Sequence, residues 1–198
     1  IVSATGAFQQ PIIPPIVSQD SKVHQMHSAS YRNPKQLANG AVMVVGAGSS
    51  GAQIADELNR AGRKVFLSVG PHDRPPRRYR DRDFVWWLGV LGLWDLAAQK
   101  LGAEHVTISV SGAYGGRTID FRRLGRDGVK LLGRTEGFDN GVLTFADDVR
   151  KNIDAGDANY NQMLDAADAY ADAMGLDLPL DPQAREACPD PNSLIYPI

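Results

Sequence analysis

The sequence contains very little cysteine and almost no excess charge. Cys188 is the only cysteine in 198 residues. With no His or Cys at a metal-ligand spacing, neither a disulfide framework nor a zinc site is predicted. A single cysteine is typical of a reducing compartment, so we expect a cytoplasmic protein. The 21 basic and 23 acidic residues leave a formal charge of -2. No positive field therefore exists to hold nucleic acid or an anionic membrane surface.

Long apolar runs are absent too. The longest, Phe84 to Trp94, has eleven residues, includes two glycines and is bounded by Asp83 and Asp95. A membrane span needs about 20 residues, so the run predicts a buried helix or a lid, with a membrane-surface anchor as the alternative. The sequence begins at Ile1 with no Met, basic region or leader-like apolar stretch. We therefore expect a chain that starts partway through a longer protein.

A strand, a glycine turn, a helix and a second strand follow one another after residue 40. Ala41 to Val45 is a β-branched run, and the motif GAGSSG occupies Gly46 to Gly51. Apolar residues then recur at helical spacing up to Gly62, and a second apolar run covers Lys64 to Val69. This order is typical of the βαβ unit of a parallel sheet.

Four further elements are predicted downstream. The Trp-rich run indicates a helix reaching about Leu101, and His105 to Gly112 a third strand that extends the sheet. Asp139-Asn140-Gly141 predicts a hairpin turn between residues 129–138 and 142–146, which would form a small antiparallel flap, because Asn and Gly tolerate positive φ. Residues 147 to 175 predict one or two amphipathic helices.

The predicted fold class is therefore α/β: a Rossmann-like, three-layer NAD(P)-binding domain with a parallel sheet, an antiparallel flap and added helices. Residues 1–39, which contain Pro11, Pro14 and Pro15, read as a linker. Residues 40–150 form the nucleotide-binding domain, with a helical insertion at about 80–103. Residues 151–198 form an acidic helical segment and a linker cut short.

The glycine motif carries the predicted chemistry. Gly46 permits a tight turn, Gly48 lets the backbone approach a pyrophosphate, and Gly51 lets the helix pack closely on the strand. The helix beginning at Ser49 and Ser50 offers amide groups and a positive dipole to the anion. A purely structural glycine turn is the alternative, but the strand before the motif and the helix after it favour a dinucleotide.

The end of the second strand favours NADP(H) over NAD(H). An NAD site places a carboxylate about 20 residues after the motif, and this sequence has Ser68 there. Arg74, Arg77 and Arg78 follow in a Pro-broken loop and would suit a 2′-phosphate. The alternative is an arginine-rich loop that merely faces solvent.

These residues resemble the flavin-containing monooxygenase-like family. Ala4-Thr5-Gly6, followed by prolines, resembles the segment where such chains leave the FAD domain. The glycine motif with Gln53 resembles their internal NADPH site. His27 and Tyr31 stand where the family's fingerprint has its His and final aromatic residue. Residues 68–95 are similar to a bacterial set of monooxygenases and oxidoreductases.

The resemblance implies a parent protein in which NADPH reduces FAD and oxygen passes to a soft nucleophile or a ketone. A reductase that transfers no oxygen stays possible. This chain would be the NADPH-binding portion, and FAD would be held by segments of the same parent that are missing here. The alternative is a non-catalytic Rossmann-like module for nucleotide sensing or interaction. No catalytic residue or metal ligand is assigned, and the substrate and oligomeric state stay open.

Overall fold

The computed structural model describes residues 10–18, 20–96 and 106–191. Along the chain its strands and helices are β1 (Val42–Val45), α1 (Ser49–Arg60), β2 (Val65–Ser68), β3 (His72–Asp73), β4 (Arg78–Tyr79), β5 (Arg82–Asp83), α2 (Phe84–Val90), β6 (Thr107–Ile108), α3 (Phe121–Arg126), β7 (Lys130–Leu132), β8 (Thr135–Asp139), β9 (Val142–Phe145) and α4 (Val149–Ala173). Short 3-10 turns lie at Ser28–Ser30, Pro34–Gln36, Leu93–Asp95, Ala113–Gly115 and Pro182–Arg185.

The central sheet is parallel and has the order β1-β2-β7. Val42 lies opposite Val65, and Leu67 lies opposite Leu131. β-branched and leucine side chains favour this arrangement because alternate residues enter the core beneath α1. The predicted α/β fold class and parallel sheet are confirmed. Both are features of a Rossmann-like domain.

One face of this sheet carries the main core. Val65, Leu67 and Leu131 pack there with residues of α1, α3 and the start of α4. On the opposite face Met43 and Phe66 are half-buried, and Val45 is 58% exposed. The described residues thus show a helical layer on one face, and the third layer stays a prediction.

The third strand of the sheet is not the predicted one. His105 lies outside the described residues, and from the rest of that segment only β6 forms, which pairs with β3 in a separate two-stranded sheet. The place beside β2 belongs to β7, which the sequence analysis had assigned to the flap. The crossover through α3 returns the chain next to β2, where Val129 and Leu131 become buried. Ile108, by contrast, is exposed.

The predicted hairpin is confirmed around Asn140 and Gly141. Their φ values are +47° and +84°, and β8 and β9 flank them in antiparallel pairing. Positive φ at both central residues suits the twist of a two-residue hairpin, which explains the Asn-Gly pair.

The Trp-rich run forms the short helix α2, followed by a 3-10 turn. Gly92, with φ of +69°, separates the two, and the predicted continuation to Leu101 enters residues outside the description. Trp87 is fully buried, and its indole Nε1 donates to the Tyr79 carbonyl at 3.0 Å. α2 packs with Met163 and Leu164 of α4 in a second apolar cluster. The buried-helix interpretation therefore holds for this part of the run.

Within residues 147–175 the chain forms a single helix, α4 (Val149–Ala173), of 25 residues. Among residues 10–18, 20–96 and 106–191, no helix is long and apolar enough to cross a membrane.

The described part of the predicted linker contains two 3-10 turns and no longer element up to β1. His27 caps the first turn, with its Nδ1 accepting from the Ala29 amide at 3.1 Å. The Tyr31 hydroxyl donates to Glu57 of α1 at 2.8 Å. Burial and this carboxylate raise the pKa of Tyr31, so the phenol stays protonated and ties the segment to the domain. Ala4-Thr5-Gly6 lies outside the described residues.

Candidate functional site

The glycine turn joins β1 to α1 at the carboxyl end of the sheet. Gly46 has φ of +104°, a conformation that only glycine adopts without strain, and its amide donates to the Ser68 carbonyl at 3.1 Å. A Cβ on Gly51 would lie 2.0 Å from the Gly46 carbonyl oxygen. Both glycines are therefore required by the backbone: one by its φ value, the other by the close approach of helix and turn.

The N-terminus of α1 has the geometry of an anion site. Gly48 is the N-cap, and the first helical bond runs from the Ala52 amide to the Gly48 carbonyl at 3.0 Å. The amides of Ser49, Ser50 and Gly51 thus precede the helical hydrogen-bonding pattern. Such amides, together with the helix dipole, are the groups that hold phosphate in dinucleotide sites.

A segment that the sequence analysis did not connect to the motif lies against this turn. The Ser49 hydroxyl donates to the Ile108 carbonyl at 3.1 Å and accepts from the Val110 amide at 3.0 Å. The buried Ser109 hydroxyl donates to the Ala47 carbonyl. A Cβ on Gly48 would lie 2.7 Å from Thr107 Oγ1. Residues 107–110 are therefore one wall of the site, and no local sequence signal links them to a turn some 60 positions earlier.

Ser68 stands at the end of β2, as predicted, but its side chain points inward. It is 3% exposed. Its hydroxyl donates to the Gly133 carbonyl at 2.9 Å and accepts from the Thr135 amide at 3.0 Å. These bonds tie the end of β2 to the start of the flap.

Two of the three predicted arginines bind aspartates of the domain, and the third is exposed. Arg74 is 9% exposed and binds Asp157 through Nε and Nη2, both at 2.8 Å. Arg77 binds both carboxylate oxygens of Asp83 at 3.0 Å. Arg78 is exposed on β4.

Arg74 makes further contacts inside the domain. Its Nη1 donates to the Ile119 carbonyl at 3.0 Å, and its guanidinium lies 4.4 Å from the Tyr160 ring centroid. This side chain connects the loop after β3 to α4 and to the segment before α3, which is a structural set of contacts.

Gln53 lies on the second turn of α1, away from the glycine turn. It lines a cleft of about 500 Å³ between α1 and residues 111–127. The guanidinium groups of Arg60 and Arg117 lie 4.6 Å and 5.7 Å from the Tyr114 ring in this cleft. The structure thus brings together Gly46, Gly48, Ser49, Ser50 and Gly51, with Ser68 beside them, while Gln53 lines a separate cleft and Arg74 and Arg77 are held by aspartates.

His72 is buried just beyond the end of β2. Its Nδ1 lies 2.9 Å from the Gly70 carbonyl oxygen, and its ring meets Phe121 edge-on with centroids 4.5 Å apart. The ring Nε2 is buried without a hydrogen-bond partner. A Cβ on Gly156 of α4 would lie 2.4 Å from that Nε2, so α4 packs directly on the ring. Burial lowers the pKa of His72, because the surroundings favour the neutral imidazole.

We expect stability to fall as the pH drops below the ordinary histidine pKa of 6.5. The unfolded chain binds a proton there and the folded chain does not, so stability present above pH 6.5 is lost as pH falls towards the lower folded pKa. The slope is at most about 1.4 kcal/mol per pH unit. Urea unfolding of His72→Asn, whose amide can still donate to Gly70, should show a flatter dependence between pH 6.5 and 5. The exposed His24→Asn serves as control; an unchanged slope in His72→Asn would contradict the assignment.

Comparison with known proteins shows that the chain is similar to oxidoreductases. The profile of the family described as pyridine nucleotide-disulphide oxidoreductase matches residues 1–88. An uncharacterized CzcO-like oxidoreductase of Geobacillus kaustophilus is 39% identical over 150 residues, covering 74% of this chain and 42% of that protein. The flavin-containing monooxygenase iboF of Amanita muscaria is 37% identical over 76 residues, which are 36% of this chain and 14% of the relative.

The chain is similar to flavin-containing monooxygenase-like oxidoreductases. Members of this family use FAD and NADP(H). The uncharacterized oxidoreductase CzcO of Bacillus subtilis is 39% identical over 109 residues, which are 54% of this chain and 30% of that protein. The chain thus spans less than half the length of these relatives. No solved structure matches it.

Proposed function

We propose that this chain is the NADP(H)-binding portion of a flavin-containing monooxygenase-like oxidoreductase, spanning residues 40–150 with the helical segment after it. The observation that carries the proposal is the glycine turn, in which Gly46 and Gly51 meet the backbone demands of a dinucleotide motif at the start of α1. When bound, NADPH supplies the hydride that reduces the flavin of the parent enzyme.

The residues at the turn fit a pyrophosphate. The amides of the first turn of α1 would donate to its oxygens, and the exposed Gly46 and Ser50 leave that side of the turn open. The Thr107 hydroxyl, on the wall beside Gly48, can donate to a phosphate oxygen as well. Apolar packing of Ala52 and Ala55 beneath the turn holds α1 against the sheet, so these donors are pre-positioned.

FAD binding belongs, in this proposal, to other parts of the parent protein. The sequence contains one GxGxxG motif, whereas the family uses two dinucleotides. We therefore expect the purified chain to be colourless and to leave NADPH unoxidised, since a hydride needs an acceptor. A yellow preparation with stoichiometric flavin would contradict this division of roles.

The function is tested by titration calorimetry of the chain with NADPH and NADH, and we expect NADPH to bind more tightly. Gly48→Ala should lower the affinity for both nucleotides by about tenfold or more, because the added methyl group obstructs the glycine turn at which the pyrophosphate of each would bind. The loss could instead come from the clash with Thr107 Oγ1. Thr107→Ala removes that atom, so the double variant separates the two explanations.

We expect the Gly48→Ala/Thr107→Ala chain to regain wild-type thermal stability and to bind both nucleotides more weakly than Thr107→Ala alone, which has lost only the Thr107 donor. Full recovery of affinity would show that Gly48 serves internal packing only. Absence of binding of either nucleotide to the wild-type chain would refute the proposed function. Gly112→Ala is a control, since a Cβ there meets no atom within 4 Å and its φ is negative.

A further inference from the structure

A basic group that the sequence analysis did not name, Arg134, stands at the carboxyl ends of β2 and β7. Gly70 follows β2, and Arg134 follows β7, two residues beyond its last strand position. A Cβ on Gly70 would lie 3.4 Å from Arg134 Cγ and 3.6 Å from its Cδ. The aliphatic part of Arg134 therefore packs against the backbone that continues β2.

Asp148 positions this arginine. Its Oδ1 accepts from the Arg134 amide at 3.0 Å, and its Oδ2 accepts from Nε at 2.7 Å. The Arg134 side chain is 53% exposed, while that of Asp148 is 16% exposed. Burial opposes ionisation of Asp148, but the hydrogen bonds and charge of Arg134, together with a hydrogen bond from the Asn152 side chain, lower the pKa of this carboxyl group. The pair is thus ionised, and it presents the guanidinium at the surface.

Arg134 lies beside the N-terminus of α4. Asp148 is the N-cap residue of that helix, and its side chain makes no capping bond to it. The first turn of α4 contains no acidic residue and carries two basic ones: Arg150, which binds Asp190 at 2.9 Å, and Lys151. The positive end of the α4 dipole adds to the charge of Arg134.

We propose that Arg134, held by Asp148, binds the 2′-phosphate of NADP(H) in this chain. The inference rests on the proposed function. In the sheet order β1-β2-β7, the glycine turn lies at β1 and Arg134 lies across β2 from it. An adenosine ribose sits over the end of β2 in Rossmann-type sites, so its 2′ substituent falls within the space between these two groups. Guanidinium groups bind phosphate through paired hydrogen bonds, and Gly70 offers no side chain to obstruct them.

The test is calorimetry with NADPH and NADH on single variants of the chain. Arg134→Gln should lower the affinity for NADPH by about 10- to 100-fold, the range expected for the loss of a charged hydrogen bond. The affinity for NADH should stay within about twofold of the wild-type value. Asp148→Asn should raise the affinity for NADPH, because it removes a negative charge that competes with the phosphate for Arg134. The Asn Oδ1 can still accept a hydrogen bond from the Arg134 amide. Arg60→Gln is the matched control, since Arg60 is also exposed and bound through Nε to an aspartate, at 2.9 Å.

A second measurement needs no variant. Adenosine 2′,5′-bisphosphate should bind the wild-type chain more tightly than 5′-AMP, and the difference should shrink as salt is raised. Equal binding of these two probes, or an unchanged NADPH to NADH ratio in Arg134→Gln, would overturn the inference while leaving the proposed function intact. Failure of the wild-type chain to bind either dinucleotide would overturn both.

Discussion

Gly51→Ala is expected to abolish the folded state or to lower its stability by about 3 kcal/mol or more. A Cβ at this position would lie 2.0 Å from the Gly46 carbonyl oxygen and 3.1 Å from its carbonyl carbon. Neither atom belongs to a flexible side chain. Gly46 is itself fixed by its φ of +104° and by the bond from its amide to Ser68, so relief would require separating α1 from the sheet.

Urea unfolding followed by circular dichroism measures this effect. Gly112→Ala provides the control for the loss of a glycine, because it adds a methyl group in open space. Its stability should stay within about 0.5 kcal/mol of wild type, as for other surface substitutions. If Gly51→Ala were equally mild, the close approach of α1 to the turn would be refuted, and with it the geometry on which the nucleotide proposal stands.

Arg74→Glu is expected to destabilise the domain by about 3 kcal/mol or more. From the sequence alone this substitution would weaken NADPH selectively. In the structure it removes a guanidinium that binds Asp157 and the Ile119 carbonyl, and it places a second carboxylate beside Asp157. Arg122, which also binds Asp157 at 2.8 Å, offsets only part of this repulsion.

NADPH and NADH binding should consequently fall together in Arg74→Glu, in proportion to the fraction of folded protein. The measurement is a pair of titrations at a temperature where the variant is still partly folded. Arg78→Gln is the comparison, since Arg78 is exposed on β4 and its loss should leave stability nearly unchanged. A stable Arg74→Glu chain with a changed NADPH to NADH ratio would return Arg74 to the nucleotide site.

The local elements were predictable because their signals are local. The β-branched run, the GAGSSG motif and the helical spacing after it specify β1, the turn and α1 through contacts between residues near in sequence. Asn140-Gly141 specifies its hairpin through the φ values of two residues. The similarity to flavin-containing monooxygenase-like proteins, too, was predictable from the glycine motif and its neighbours.

Long-range partners could not be predicted in the same way. Arg74 lies 83 positions from Asp157, and Ser49 lies 61 positions from Val110, so no spacing rule indicates either contact. Had β7 been recognised as the third strand, Arg134 would have been a candidate, because it follows that strand as Gly70 follows β2. The apolar run 129–132 suits either a flap or a central strand, and the sequence pattern does not distinguish them.

The sequence by itself determined the βαβ unit, the glycine turn that starts α1 and the hairpin, because backbone geometry and hydrophobic period act over a few residues. Tertiary structure alone decided which strand lies beside β2 and which arginine stands near the end of that strand. The physical reason is burial and charge pairing. Arg74 binds Asp157 and Arg77 binds Asp83, whereas Asp148 holds the exposed Arg134 at the end of the sheet.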